Sequence, residues 1–384
     1  MLMIIRHRLT TSRFSSRAFA AVIFVMVFSG LTCAHPSWGI VVSSTGNVYF
    51  SDLETVWKLD RAGKLSVFRA GVSGRHVHEL SIDDQDNIYG PDFSYEPATQ
   101  KYITAIWKMA PDGKFAYLQP PSNQAPPGLG ILLDRAGNMY SVDQNNHTKT
   151  QTLLLKRTPE GVVTTLAGGA FGHADGKGTA AKFSTVGALV FGSDGNLYVS
   201  DGEYVRRVSM DGTVVTLAKN LLSRTAEDKP PLFAGSYGSL AGLSAGPGGN
   251  VYVADAGDRR LLKIANDGKV TIVYRCDPPY FPTGVFATSS GEVYVLEFSF
   301  TPPSTSGGPR VRKITADGNM SLLAEATADR LVATPPGAAP PARVLTSAGL
   351  LSSYRRTIFL TLLLSVGIIM ILLVWRSRQK HRRI

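Results

Sequence analysis

Between residues 38 and 324, apolar and polar residues alternate in short runs, and the runs are punctuated by two-residue turn signals. Alternation at period two sends one set of side chains to each face of a strand, so the pattern predicts antiparallel hairpins. The hairpins repeat. Six segments of the form Gly-Asn-apolar-Tyr align: Gly46–Tyr49, Asp86–Tyr89, Gly137–Tyr140, Gly195–Tyr198, Gly249–Tyr252 and Gly291–Tyr294, whose tyrosines stand 40, 51, 58, 54 and 42 residues apart. An acid follows three residues after each tyrosine, at Asp52, Asp92, Asp143, Asp201, Asp255 and Glu297.

A second hairpin follows each acid. It carries one basic residue in register (Lys58, Lys108, Lys156, Arg207, Lys263, Lys313) and a turn at Ala62-Gly63, Asp112-Gly113, Glu160-Gly161, Asp211-Gly212, Asp267-Gly268 or Asp317-Gly318. Glycine supplies the positive φ such turns demand. Each repeat is therefore four strands, A to D. A four-stranded unit cannot bury both faces alone, whereas six arranged radially bury sheet against sheet. The prediction is an all-β, six-bladed propeller over residues 35–326, with blades near 38–70, 78–119, 128–168, 186–219, 240–275 and 282–324. The first repeat is already complete, so ring closure needs no strand from the other terminus.

Alternating strand direction places the A–B and C–D turns on one face, and the B–C loops and blade connections on the other. The first face carries only tight turns. The second collects the longer segments 93–105, 144–153, 168–186, 219–239 and 298–310, where a rigid scaffold usually carries its binding surface. Phe93, Tyr95, Phe171, Phe233, Tyr237, Phe298 and Phe300 form a candidate aromatic rim there. Strand A lines the central channel, and eight residues before each motif asparagine the repeats hold Gly39, Gly130, Ala188, Gly242 and Gly284. The second repeat holds Glu79 instead, beside His78 and His76. These three are the candidate ligands for a divalent metal in the channel, or an acid and bases for catalysis. The six repeated acids read as loop caps accepting backbone N–H bonds, because chemistry needs one special place and folding needs six equal ones. The in-register bases are expected to run along outer strands or pair across blades.

The run Thr165–Phe183, with Gly195-Asn-Leu-Tyr-Val-Ser-Asp201, Val205-Arg-Arg-Val208, Gly249-Asn-Val-Tyr-Val-Ala-Asp255 and Arg259–Ile264, resembles the NHL-repeat family. That resemblance implies the propeller fold over about three quarters of the chain. For function it implies several classes: protein-binding or RNA-binding modules, sensor domains, and lyase or lactonase relatives. It also implies that His173-Ala174-Asp175 belongs to a structural loop signature.

The net charge of +11 belongs to the ends. Residues 1–34 hold four arginines and no acid, and residues 355–384 hold seven bases and no acid, so the body balances at 29 of each sign. A neutral body argues against a nucleic-acid partner. Residues 1–34 read as a signal peptide, with an apolar stretch from Ala18 to Leu31 and small residues at Thr32 and Ala34. Thr357–Trp375 carries nineteen uncharged residues, about 28 Å as a helix, and reads as a transmembrane span. Five bases follow it, which directs the tail 376–384 to the cytoplasm and the propeller to the extracytoplasmic side. Residues 327–356 are a linker rich in proline and alanine. No nucleophile elbow or phosphate loop occurs. The sequence favours a tethered binding module for a protein, peptide or glycan. The alternative is a metal-dependent lyase, lactonase or esterase with a site near Glu79.

Overall fold

Each Asx-Gly or Gly-Asn turn reverses the chain where the pattern requires, and the strands between them pair into six antiparallel sheets. The computed structural model describes residues 37–123, 129–144, 148–222, 240–299, 307–326 and 331–333. Blade 1 is β1 (Ile40–Val42), β2 (Val48–Ser51), β3 (Val56–Leu59) and β4 (Leu65–Arg69); blade 2 is β5 (Ser81–Ile82), β6 (Ile88–Glu96), β7 (Lys101–Met109) and β8 (Phe115–Ser122). Blade 3 is β9 (Leu129–Leu133), β10 (Met139–Gln144), β11 (Gln151–Arg157) and β12 (Val163–Ala170). After the short β13 (Gly176–Lys177), blade 4 continues with β14 (Val186–Phe191), β15 (Leu197–Asp201), β16 (Tyr204–Val208) and β17 (Thr213–Ala218). Blade 5 is β18 (Leu240–Ala245), β19 (Val251–Asp255), β20 (Arg260–Ile264) and β21 (Val270–Arg275). Blade 6 is β22 (Tyr280–Ala287), β23 (Val293–Ser299), β24 (Gly307–Ile314) and β25 (Met320–Ala326), followed by β26 (Leu331–Ala333).

The strands of each blade are neighbours in chain order, so the predicted six-bladed ring and its closure without a borrowed strand are both present. Two strands go beyond the prediction. β13 pairs with the outer edge of β17, and β26 with that of β25, so blades 4 and 6 each have five strands. A fifth strand covers an edge that would otherwise expose unpaired backbone groups.

Apolar side chains of adjacent sheets fill the spaces between blades. Ile40, Val42 and Phe50 of blade 1 pack with Leu296, Phe298 and Val311 of blade 6, and this cluster closes the ring. The innermost strands approach closely at this seam and at the one between blades 5 and 6: a Cβ on Gly284 would lie 2.3 Å from the Trp38 carbonyl oxygen, and one on Gly242 2.6 Å from that of Thr283. Those two glycines are thus small because neighbouring blades touch there.

The repeat tyrosines and bases have a shared explanation. Each tyrosine on the second strand faces the base on the third, as in Tyr49↔Lys58 and Tyr294↔Lys313. The ammonium groups of Lys58, Lys108, Lys156, Lys263 and Lys313 lie 5.4–6.0 Å from the facing ring centroids. The bases therefore cover tyrosine faces within their own blade instead of reaching across blades, because the ring offers its negative face to a cation at low desolvation cost. Tyr89, Tyr140 and Tyr198 also donate their hydroxyls to Asp83, Asp134 and Asp194 in the preceding turns, at 2.6, 3.1 and 3.0 Å.

Among the described residues no helix is long and apolar enough to cross a membrane. The signal segment 1–34, the span 357–375 and the tail 376–384 lie outside the described residues, as does the linker apart from the few residues of β26.

Candidate functional site

The face opposite the tight turns is built differently from its sequence-level picture. Residues 93–105 are not a loop. The β6–β7 ladder runs past Asp92, pairing Phe93 with Thr104, Ser94 with Ile103, Tyr95 with Tyr102 and Glu96 with Lys101, so a hairpin projects from blade 2. The cause is continued alternation on both strands: the acid does not end the pairing. Blade 6 does the same to a smaller extent, with Ser299 facing Gly307. The segment after β12 turns outward to place β13 on the edge of blade 4.

At the tip of the blade 2 hairpin, Tyr95 and Tyr102 are 51% and 61% exposed, with ring centroids 5.3 Å apart. Phe93 is half-buried below them, and its backbone exchanges both hydrogen bonds with His76, at 2.7 and 2.9 Å. The His78 ring is buried between Trp38 (5.3 Å) and Phe93 (5.6 Å), with His76 edge-on at 5.8 Å. Ser37 Oγ donates to the carbonyls of Val77 and His78, and the Trp38 N–H donates to the latter. The segment 76–79 is thus the link between blades 1 and 2. Of the remaining rim candidates, Phe171 is half-buried, with Lys149 5.7 Å from its centroid. Phe298 is 3% exposed and belongs to the core between blades 6 and 1, because β23 continues inward there. Phe233, Tyr237 and Phe300 lie outside the described residues.

His76, His78 and Glu79 do not come together as ligands, and no group of three His, Cys, Asp or Glu side chains placed to hold a metal is found among the described residues. Adjacent residues of an extended chain point to opposite sides. His78 enters the aromatic stack, while Glu79 lines the channel and its Oε2 accepts the Ile131 N–H of blade 3 at 3.2 Å. The channel encloses about 310 Å3 and is walled by the first strands of all six blades.

Five of the six repeated acids hold caps or ion pairs, in more than one way. Asp52 accepts the N–H groups of Glu54 and Thr55 and the indole N–H of Trp57, at 3.2, 2.8 and 2.7 Å. Asp201 accepts from the N–H and hydroxyl of Ser184 and the N–H of Thr185, and pairs with Arg206 at 2.9 Å. Asp255 accepts the Asp258 N–H and pairs with Arg260 at 2.8 Å. In these three blades the partner stands five residues after the acid. The other blades differ. Asp92 pairs with Arg69 of blade 1 at 2.6 Å; burial keeps its carboxyl above the ordinary range although Arg69 and Arg75 oppose this. Glu297 is fully buried and meets Arg310, Arg312, the Tyr274 hydroxyl and the Cys276 thiol. Asp143 faces Leu153 across the β10–β11 ladder. Burial also pushes Asp255 up to about 6 and drives the Cys276 thiol far above its usual range.

Arg206 and the loop before blade 4 account for the His173–Asp175 signature. The Arg206 guanidinium binds Asp175 (2.7 Å) and the carbonyls of Ala174 and Lys182, and Asp175 in turn accepts from the N–H and hydroxyl of Thr216. His173 Nδ1 lies 3.2 Å from Asp201 Oδ2. Sequence reasoning had not singled out Arg206, Arg260 or Tyr102. The acid-plus-five spacing signals the arginines, and the alternation resuming at Tyr102 signals the hairpin.

No protein-family model matches the chain, and no curated protein matches it. Solved structures similar in shape include virginiamycin B lyase from Staphylococcus aureus (14% identity, 75% of this chain and 83% of that one, TM-score 0.45). A gluconolactonase from Xanthomonas campestris aligns at 13% identity over 75% and 87% of the chains, with TM-score 0.47. A protein of unknown function from Bacteroides thetaiotaomicron aligns at 16% identity over 73% and 70%, with TM-score 0.48. At that distance none of them speaks to chemistry, and the blade count rests on the six sheets themselves.

Proposed function

We propose that this chain is a membrane-tethered, extracytoplasmic propeller of the NHL-repeat kind that binds a protein, peptide or glycan through its loop face. The observation that supports it is the Tyr95–Tyr102 pair: two large aromatic side chains, more than half exposed, carried on a paired hairpin above the Phe93–His76–His78 stack. Rigid, partly solvated tyrosines supply contact area at low entropic cost and are enriched in binding hot spots. Five of the repeated acids, Asp52, Asp92, Asp201, Asp255 and Glu297, are engaged in caps and buried ion pairs.

The test is capture of partners by the full-length chain in nanodiscs, followed by affinity measurement with the identified partner. Tyr95→Ala with Tyr102→Ala is expected to weaken binding about 30-fold, which corresponds to about 2 kcal/mol. Tyr117→Ala, on the outer edge of blade 2, is expected to leave it unchanged. Equal affinity in all three proteins refutes the loop-face reading. Protease protection of the ring in sealed vesicles tests the orientation separately. The metal-dependent enzyme reading has one observation in its favour, the Glu79 carboxylate in the channel wall. Stoichiometric zinc or calcium in the purified protein, lost in Glu79→Gln, would replace the binding reading.

A further inference from the structure

The channel has a chemistry that neither the loop face nor a metal site accounts for. Aliphatic residues, among them Ile82, Leu133 and Val190, supply about half of its wall, and polar groups supply the rest. Its ionisable lining consists of the carboxyls of Glu79 and Asp83 and the phenol of Tyr89, and no lysine, arginine or histidine lines it among the described residues. Burial works against ionisation of Asp83, but hydrogen bonds from the Tyr89 hydroxyl (2.6 Å) and from Asn87 (2.8 and 2.9 Å) prevail and hold it below the usual carboxylate range. Glu79 precedes β5 as Asp83 follows it, and receives the Ile131 N–H. Ser81 and Ser244 add neutral hydroxyls.

We propose that this channel is a binding site for a small organic cation, an ammonium group carried on a compact apolar body. Low-dielectric walls concentrate the field of the charges they enclose, so an enclosed lining of one sign attracts the opposite charge and repels its own. The aliphatic half of the wall rewards a compact hydrocarbon body by removing it from water. A bare divalent ion would find no set of three ligands among the described residues, and an organic anion would meet like charge. The volume, about 310 Å3, lies at the lower end of small-ligand sites and limits the body to a single ring or a short branched chain. Glu79, on the innermost segment of blade 2 at the channel wall, is the residue assigned to the ammonium; Asp83 closes its own turn with Gln85, Asn87 and Tyr89.

The experiment uses the full-length chain in nanodiscs and three probes of matched size: phenethylammonium, phenethyl alcohol and phenylacetate, followed by saturation-transfer NMR and calorimetry. Saturable 1:1 binding of phenethylammonium is expected, at least about tenfold tighter than the alcohol, with phenylacetate weakest. Glu79→Gln is expected to lower the ammonium to the affinity of the alcohol and to leave the alcohol unchanged. Should that variant melt early, a pH titration of the unaltered protein reads the same term: ammonium affinity falls as pH drops through the carboxylate range, and alcohol affinity does not. The proposal is overturned by equal affinity for ammonium and alcohol, by ammonium affinity that neither Glu79→Gln nor falling pH diminishes, or by no saturable binding up to about 10 mM. Displacement of the probe by stoichiometric zinc or calcium overturns it in favour of a metal. Tyr95→Ala with Tyr102→Ala is expected to leave probe binding intact, which keeps this result separate from the loop-face test.

Discussion

Arg206→Met is the perturbation with the clearest structural arithmetic. The Arg206 side chain is 1% exposed, pairs with the fully buried Asp201, binds the carbonyls of Ala174 and Lys182, and reaches Asp175, which is 49% exposed. Methionine keeps much of the volume against Phe183 but removes every donor. Breaking a buried pair by deleting one partner costs about 3–5 kcal/mol, because the other charge stays behind. Asp201 keeps the Ser184 and Thr185 donors, so the lower part of that range applies, about 3 kcal/mol. The exposed arm to Asp175 contributes at most about 1 kcal/mol of this. For a ring of this size the loss corresponds to a fall in Tm of about 5 °C. Calorimetry of the full-length chain measures it, and a double-mutant cycle divides it. Coupling between Arg206→Met and Asp201→Asn is expected to be about 2–3 kcal/mol, and coupling with Asp175→Asn below about 1 kcal/mol. A fall of less than about 2 °C, or stronger coupling to Asp175 than to Asp201, refutes the reasoning.

Three further outcomes follow from the same geometry. Gly284→Ala forces a Cβ against the Trp38 carbonyl at the ring seam and is expected to cost about 1–3 kcal/mol in a melting experiment, whereas Gly113→Asn, at a positive φ with open space around it, costs less than about 1 kcal/mol. Asp255, buried and raised to about 6 from 3.8, binds its proton more tightly in the folded state, so stability falls as pH rises from about 4 to about 6, by about 3 kcal/mol in total; Asp255→Asn removes that slope from a pH series of denaturation curves. Cys276, buried beside Glu297 with its thiol pushed far up, is expected to resist alkylation in the native protein and to react in step with unfolding, as read by peptide mass mapping; rapid native labelling contradicts the placement.

The ring was legible because hairpin chemistry is local. A glycine at positive φ, such as Gly63 or Gly318, with an alternating run on either side defines a strand pair without reference to anything distant. The site was less legible because its contacts are not local. Phe298 and Tyr95 look alike as aromatics after a repeat acid, yet one meets a neighbouring blade and the other meets solvent. The alternation that puts His76 and His78 on one side holds, with their rings 5.8 Å apart. What fills the space beside His78 is Trp38, forty residues upstream, and no spacing rule announces it. Arg69 and Asp92 likewise come from different blades. By contrast, the intervals from Asp52 to Trp57, Asp201 to Arg206 and Asp255 to Arg260 were visible in the chain, and acquire meaning only once strand register shows the side chains meeting.

Because blade 1 is complete in itself, the molecule resembles a split washer. Five of the six junctions are bridged by the polypeptide, and among the described residues the sixth is held by the fit of Ile40, Phe50 and their companions against Leu296 and Phe298, and by Trp38 lying on Gly284. Its partners are the most distant in sequence, so it is the last gap to shut in folding and the first place where the circle springs open.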